Sequence, residues 1–167
     1  MTTGKHELII TRTFDAPRQL VWDAWTQPEQ VMKWWGPGPF TSPACKIDLR
    51  IGGHYLYCMR GPDGKDYWSG GTYKEIVPIE KLVYIDAFAD EEGNWVDPAA
   101  YGFDAIFPKT NVVTVTFEEV GTKTKITIHY IADSEAVLEV MHKTQMKEGW
   151  ESSLDKFAIA LSFAGPQ

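Results

Sequence analysis

The sequence predicts an α+β fold: a curved antiparallel sheet of about seven strands wrapped around a long C-terminal helix, with two short helices after the first strand. Two observations carry this expectation. Six β-rich segments follow one another between residues 46 and 131 with only turns or a loop between them, which implies an antiparallel meander. After Ser134 the apolar period becomes helical, and a sheet with one apolar face needs such a partner to cover it.

Residues 7–14 alternate and are rich in β-formers, which makes them the first strand. Asp15-Ala16-Pro17 then supplies an N-cap with a proline close behind, and Leu20, Val21, Ala24 and Trp25 recur at helical spacing. Residues 28–35 form a second short helix, closed by Gly36-Pro37-Gly38-Pro39, which cannot continue one. The strands of the meander are 46–49, 54–60, 67–77, 82–88, 112–118 and 123–131, parted by turns such as Gly52-Gly53, Pro62-Asp63-Gly64 and Val120-Gly121. Leu138, Met141, Met146, Trp150, Leu154, Phe157, Ala158 and Leu161 then form one apolar stripe ending before Gly165-Pro166. No repeat, low-complexity tract or linker interrupts the chain, so residues 1–167 read as a single domain.

Composition bounds the function. A chain of 167 residues can bury roughly 70% of the surface its unfolded form exposes, and 44% apolar with 13% aromatic residues fills such a core. The net charge of −7 repels phosphate backbones, so no nucleic-acid partner is expected. There is no run of about 18 apolar residues and no signal-peptide core, so a cytoplasmic location without integral membrane association is expected. Cys45 and Cys58 form no CxxC and read as reduced packing residues. His6, His54, His129 and His142 show neither HxH nor HExxH spacing, so no metal is expected. Gly52-Gly53 and Gly70-Gly71 lie at turns or within a strand, not in a phosphate loop, and no cofactor is expected. Ser152 and Ser153 sit on a helix without the strand-to-helix elbow of a hydrolase nucleophile.

Four blocks carry a resemblance. They are Asp15-Ala16-Pro17 with Val21-Trp22, Trp25, Pro28 and Trp34-Trp35-Gly36-Pro37; then Gly52-Gly53-x-Tyr55-x-Tyr57-x-Met59; then Gly71-x-Tyr73-x-Glu75-Ile76-x-Pro78-x-Glu80-Lys81-Leu82-Val83; and Gly149-Trp150-x-x-Ser153-Leu154-Asp155-Lys156. In this order, over nearly the whole chain, they resemble the proteins similar to the activator of the ninety-kilodalton heat-shock protein's ATPase. That family belongs to the SRPBCC, or START-like, superfamily of the birch pollen allergen. The resemblance implies a helix-grip fold with an internal cavity, and does not by itself imply a co-chaperone. The segment 89–111 departs from the family pattern; with Trp95, Tyr101, Phe103, Phe107 and Pro108 it is expected to shape the pocket mouth.

Within that frame the period of two groups Tyr55, Tyr57 and Met59 on one strand face, Ser69, Gly71 and Tyr73 on another, and Leu82, Tyr84, Asp86 and Phe88 on a third. The resemblance turns the Tyr55 face toward the last helix, where Met146, Trp150, Leu154 and Phe157 close the opposite side. Gly149 costs about 1 kcal/mol relative to alanine in a helix interior, which points to close packing or to ligand room. Four tryptophans on two short helices exceed what such helices usually bury, and Trp35 is assigned to the entrance. The loop from Gly36 to Phe40 suits either a lid or a plain connector. The expected ligand-binding set is therefore Trp35, Phe40, Tyr55, Tyr57, Met59, Tyr73, Tyr84, Asp86, Phe88, Phe103, Met146, Trp150, Leu154 and Phe157, although these residue types also suit a plain core.

Asp86 interrupts an apolar strand. It faces solvent, bonds a nearby Tyr or Trp, or sits in the cavity with a raised pKa, where general-base or cation-binding work follows. Three functions remain open. The first is binding of a small apolar or aromatic molecule such as a lipid, polyketide or related metabolite. The second is a cyclase- or hydrolase-type enzyme using Asp86, Tyr84 or His129 as acid–base groups. The third is a chaperone-associated stress protein with an exposed apolar patch. Nothing specifies more than a monomer or weak homodimer.

Overall fold

Alternation decides which way each strand faces. In β1 (Glu7–Phe14), Leu8, Ile10 and Phe14 are buried while Glu7, Ile9, Thr11 and Thr13 are exposed. The computed structural model describes residues 6–164, so the Gly165-Pro166 helix stop lies outside the described residues. After β1 come α1 (Arg18–Thr26) and α2 (Pro28–Val31), then β2 (Thr41–Ile47), β3 (His54–Arg60), β4 (Asp66–Val77) and β5 (Lys81–Ala89). A single 3-10 turn (Pro98–Tyr101) precedes β6 (Asn111–Val120) and β7 (Lys123–Ile131), and the chain closes with α3 (Glu135–Lys143) and α4 (Met146–Ala164). The seven strands form one open, curved sheet in the order β1-β7-β6-β5-β4-β3-β2, every neighbouring pair antiparallel. This is the predicted helix-grip arrangement.

Three elements differ from expectation. The strand expected at 46–49 is β2 and starts at Thr41, because Pro43 sits on a sheet edge at a register shift between Thr41 and Ala44, where its missing N–H removes no ladder bond. The helix expected at 28–35 stops at Val31, and Lys33 and Trp34 continue only as tight turns bonded to Gln30 and Val31. The C-terminal stripe is split into two helices. The Thr144 hydroxyl donates to the carbonyls of Val140 (3.1 Å) and Met141 (2.9 Å), and Gln145 takes the left-handed conformation at φ 60°. Neither glycine nor proline marks that break. Leu138 and Met141 therefore lie on α3, and Ala158 is exposed while Ser153 and Ala160 are buried instead.

Phe157 is the centre of the packed half of the interior. Its ring meets Phe14, Trp25 and Trp34 edge-on at 5.0, 5.4 and 4.9 Å, each such pair adding about 0.5–1.5 kcal/mol beyond its buried area. Trp22, Trp25 and Trp34 are buried, and the Trp34 indole donates to the Ala24 carbonyl at 3.0 Å, which ties the turns after α2 to α1. Trp25 also stacks nearly parallel on Trp150, with centroids 5.8 Å apart. Trp35 is only partly buried. Cys45 and Cys58 are both free, and burial pushes the Cys45 thiol up to about 12.

Candidate functional site

The inner sheet face can be read in rows. The pairing register aligns Tyr55 on β3 with Gly71 on β4, Gly71 with Asp86 on β5, and Asp86 with Asn111 on β6. Gly71 has no side chain to separate its neighbours, so the Tyr55 ring crosses over β4 and its hydroxyl donates to Asp86 Oδ1. A Cβ at Gly71 would stand 2.8 Å from that hydroxyl. Burial pushes the Asp86 carboxyl up to about 6; the Tyr55 hydrogen bond and the Ala87 N–H pull the other way. Burial and the nearby Asp86 charge in turn hold the Tyr55 phenol well above its usual range.

Asp86 opens into a cavity of about 230 Å³ between the sheet and the start of α4. Met59, Tyr67, Ser69 and Phe88 line it from the sheet, and Met146, Gly149, Trp150 and Ser153 from the helix. The Trp35-Gly36-Pro37 turn forms one rim and Phe103, Phe107 and Pro108 the other. Phe88 stacks on Phe103 at 4.8 Å, and Phe103 meets Phe107 at 5.1 Å. Beside Asp86, Asn111 and Tyr130 add polar atoms, and the Trp150 indole donates to the Tyr130 hydroxyl at 2.9 Å. Asp86 is the one charged residue among those lining the cavity.

The loop behind the Trp35 rim is fastened to the helix. The Gly38 N–H donates to Ser152 Oγ at 2.6 Å, and Lys156 Nζ donates to the carbonyls of Phe40 at 2.8 Å and Gly38 at 3.4 Å. Burial holds the Lys156 amine below its ordinary range. On the opposite rim the Tyr101 hydroxyl donates to the Ala89 carbonyl at 2.6 Å and receives the Trp68 N–H at 3.3 Å, which fixes where the 89–111 segment leaves the sheet.

Of the residues expected to contact a ligand, Trp35, Met59, Asp86, Phe88, Phe103, Met146 and Trp150 line the cavity. Tyr55, Tyr57, Tyr73 and Tyr84 lie buried beside it as one ring cluster, with Tyr55 at 4.6, 5.6 and 5.4 Å from the other three. Leu154 and Phe157 are in the packed core, and Phe40 rests against Tyr67 at 6.1 Å. Tyr130 and Asn111 enter without having been singled out, while Phe107 and Pro108 line the cavity as residues of the segment expected at its mouth. For Tyr130 the signal was available, since it shares parity with Ile126 and Ile128 on β7. The same parity sends His129 to the outer face, where it bonds Glu7 of β1, so it supplies no base to the cavity.

Gly149 separates the two readings of a helical glycine. A Cβ there would meet nothing within 4 Å, so close packing is not what requires it. Gly149→Ala is expected to raise the melting temperature by about 2–4 °C, the equivalent of about 1 kcal/mol of helix propensity, measurable by circular dichroism.

Comparison with known proteins follows the same outline. The model of the family described as Activator of Hsp90 ATPase homolog 1-like protein matches residues 15–162. A solution structure from Arthrobacter aurescens is 28% identical with a TM-score of 0.79, covering 97% of this chain and 89% of its own. A crystal structure from Mycobacterium smegmatis is 27% identical with a TM-score of 0.78, covering 93% and 90%. The AHSA1 protein from Silicibacter pomeroyi shares the fold at 19% identity, with a TM-score of 0.72 over 95% of this chain and 99% of that one. No curated protein matches the chain. Among the described residues no helix is long and apolar enough to cross a membrane.

Proposed function

We propose, on the premise that this chain belongs to the Activator of Hsp90 ATPase homolog 1-like family, that it binds one small apolar or aromatic molecule in the cavity between the sheet and α4. The observation that carries the reading is an aromatic-walled cavity with unfilled space against Gly149, at a helix position where alanine would be the more stable residue. Trp35, Met59, Phe88, Phe103, Met146 and Trp150 supply the contact area, and Asp86 the fixed polar point. The volume of about 230 Å³ falls below the 300–1,000 Å³ typical of drug-sized sites, so the ligand is compact: up to about three rings, or a short acyl chain, rather than a long-chain lipid.

Native mass spectrometry before and after organic extraction tests this, together with titration of the apolar fluorophore N-phenyl-1-naphthylamine. The expected result is a small copurified mass lost on extraction, or saturable probe binding that Gly149→Phe weakens at least tenfold by filling the space. Absence of both, or a Gly149→Phe protein that binds the probe as well as the parent, overturns the reading.

A further inference from the structure

We infer that the cavity selects a ligand carrying a protonated nitrogen, held by the Asp86 carboxylate among the faces of Trp35, Trp150 and Phe88. This rests on the cavity being the binding site and names the class of molecule that enters it.

Charge balance is the first argument. Asp86 lines an apolar cavity, and no lysine, arginine or histidine lines it with it. The donors that meet the carboxyl from the sheet, the Tyr55 phenol and the Ala87 N–H, are both neutral. A carboxylate in such surroundings is costly unless a cation accompanies it, and among the described residues the chain provides none there. A ligand ammonium would complete the pair.

The walls are the second argument. Trp35 and Trp150 meet at right angles with centroids 5.5 Å apart, and both line the cavity with Phe88. Aromatic faces attract cations, most of all the indole of tryptophan. Asn111 stands next to Asp86 in the β5–β6 register, and its amide carbonyl offers a second acceptor to an N–H. A neutral hydrocarbon would use the rings and leave the carboxylate unpaired.

The groups packed around Asp86 add no competing charge. β3 contributes Tyr55, β4 Gly71, β5 Tyr84 and β7 Tyr130, and burial holds these phenols above their ordinary range, so they stay neutral. β6 contributes Asn111, and α4 contributes Gly149 and Trp150. Asp86 is then the group that titrates in the cavity between pH 5 and 8. Protons compete with the ammonium for it.

Phenethylamine and phenethyl alcohol, which differ only in replacing –NH3⁺ by –OH, are the probes, titrated calorimetrically at pH 5.0 and 7.5. The amine is expected to bind at least tenfold tighter than the alcohol at pH 7.5. It should weaken about tenfold at pH 5.0, where a carboxyl titrating near 6 is mostly protonated, while the alcohol changes little. Asp86→Asn should remove the preference, and Tyr55→Phe, which keeps the carboxylate, should retain it. Equal affinities in the parent protein, or a preference that survives in Asp86→Asn, overturns the inference. If Asp86→Asn does not fold, the parent's pH series decides alone. Alcohol binding without an amine advantage sinks this inference and leaves the cavity reading standing. Failure of both probes and of N-phenyl-1-naphthylamine sinks both. A preference for the alcohol at pH 7.5 as well as at pH 5.0 would instead show Asp86 acting as a neutral donor to an oxygen, which also overturns it.

Discussion

Gly71→Ala is expected to destabilise the protein by about 3 kcal/mol or more, lowering the melting temperature by about 6–12 °C. The added Cβ would lie 1.9 Å from the Ile85 carbonyl oxygen and 2.8 Å from the Tyr55 ring. Tyr55 is the end of a side chain and can move, at the expense of its bond to Asp86. The Ile85 oxygen belongs to the β4–β5 ladder and cannot. Relief therefore requires opening the sheet next to the site. The double substitution Gly71→Ala, Tyr55→Phe removes the hydroxyl contact but leaves the contacts with the ring carbon and the Ile85 oxygen. It should be no more stable than Gly71→Ala alone. A Gly71→Ala protein melting within 2 °C of the parent by circular dichroism, about 1 kcal/mol or less, would show that β4 yields locally.

Asp86→Asn acts in the opposite direction and only above acid pH. The folded-state carboxyl titrates near 6, against 3.8 for the free group, so the folded protein holds its proton more tightly than the unfolded chain. Well below pH 3.8 the carboxyl is protonated in both states and contributes no difference. As pH rises through 3.8 toward 6 the unfolded chain ionises first, stability is lost through that window, and the loss levels off above 6. A shift of this size corresponds to about 2–3 kcal/mol. Asparagine cannot ionise and can still accept from Tyr55. Urea unfolding followed by tryptophan fluorescence should thus show the variant near parity at about pH 3 and about 2–3 kcal/mol more stable at about pH 7.5. A difference that does not change with pH, or a less stable variant at pH 7.5, would mean that Asp86 is well solvated. The stability that the wild-type carboxylate forgoes at neutral pH is what a bound cation would return.

Much of the fold was legible because burial here follows simple periods. Leu8, Ile10 and Phe14 on β1, and Ile126, Ile128 and Tyr130 on β7, alternate as half-buried strands must. Asp86 was legible as an anomaly in an apolar run. What periodicity could not show was depth. Tyr57, Tyr73 and Tyr84 share the inner face with Met59 and Phe88, yet they are core, because the space stays unfilled only toward the end of the strands where α4 begins. That end is set by the break at Thr144-Gln145, which depends on a side-chain hydroxyl and one left-handed residue that leave no pattern in the spacing. The role of Gly71 was hidden for a similar reason. Its meaning comes from the cross-strand register, which places it between two residues 31 apart in the chain.

The fastening of residues 38–40 to α4 has a kinetic consequence. Opening that rim breaks the contacts that Ser152 and Lys156 make with the loop, each worth about 0.5–3 kcal/mol. The other rim is tied differently: past Tyr101, Phe103 bonds Pro98, Phe107 bonds Asp104 and Ile106 bonds the Asp104 side chain, all within the segment itself. What holds it over the cavity is ring contact with Phe88. Local opening draws on the least interconnected part of a structure, so a molecule bound in the cavity as proposed is expected to exchange with solvent by excursions of residues 102–108. The residence time of such a ligand would follow how often Phe103 lifts from Phe88, and amide hydrogens of that segment are expected to exchange before those of the loop pinned by Lys156.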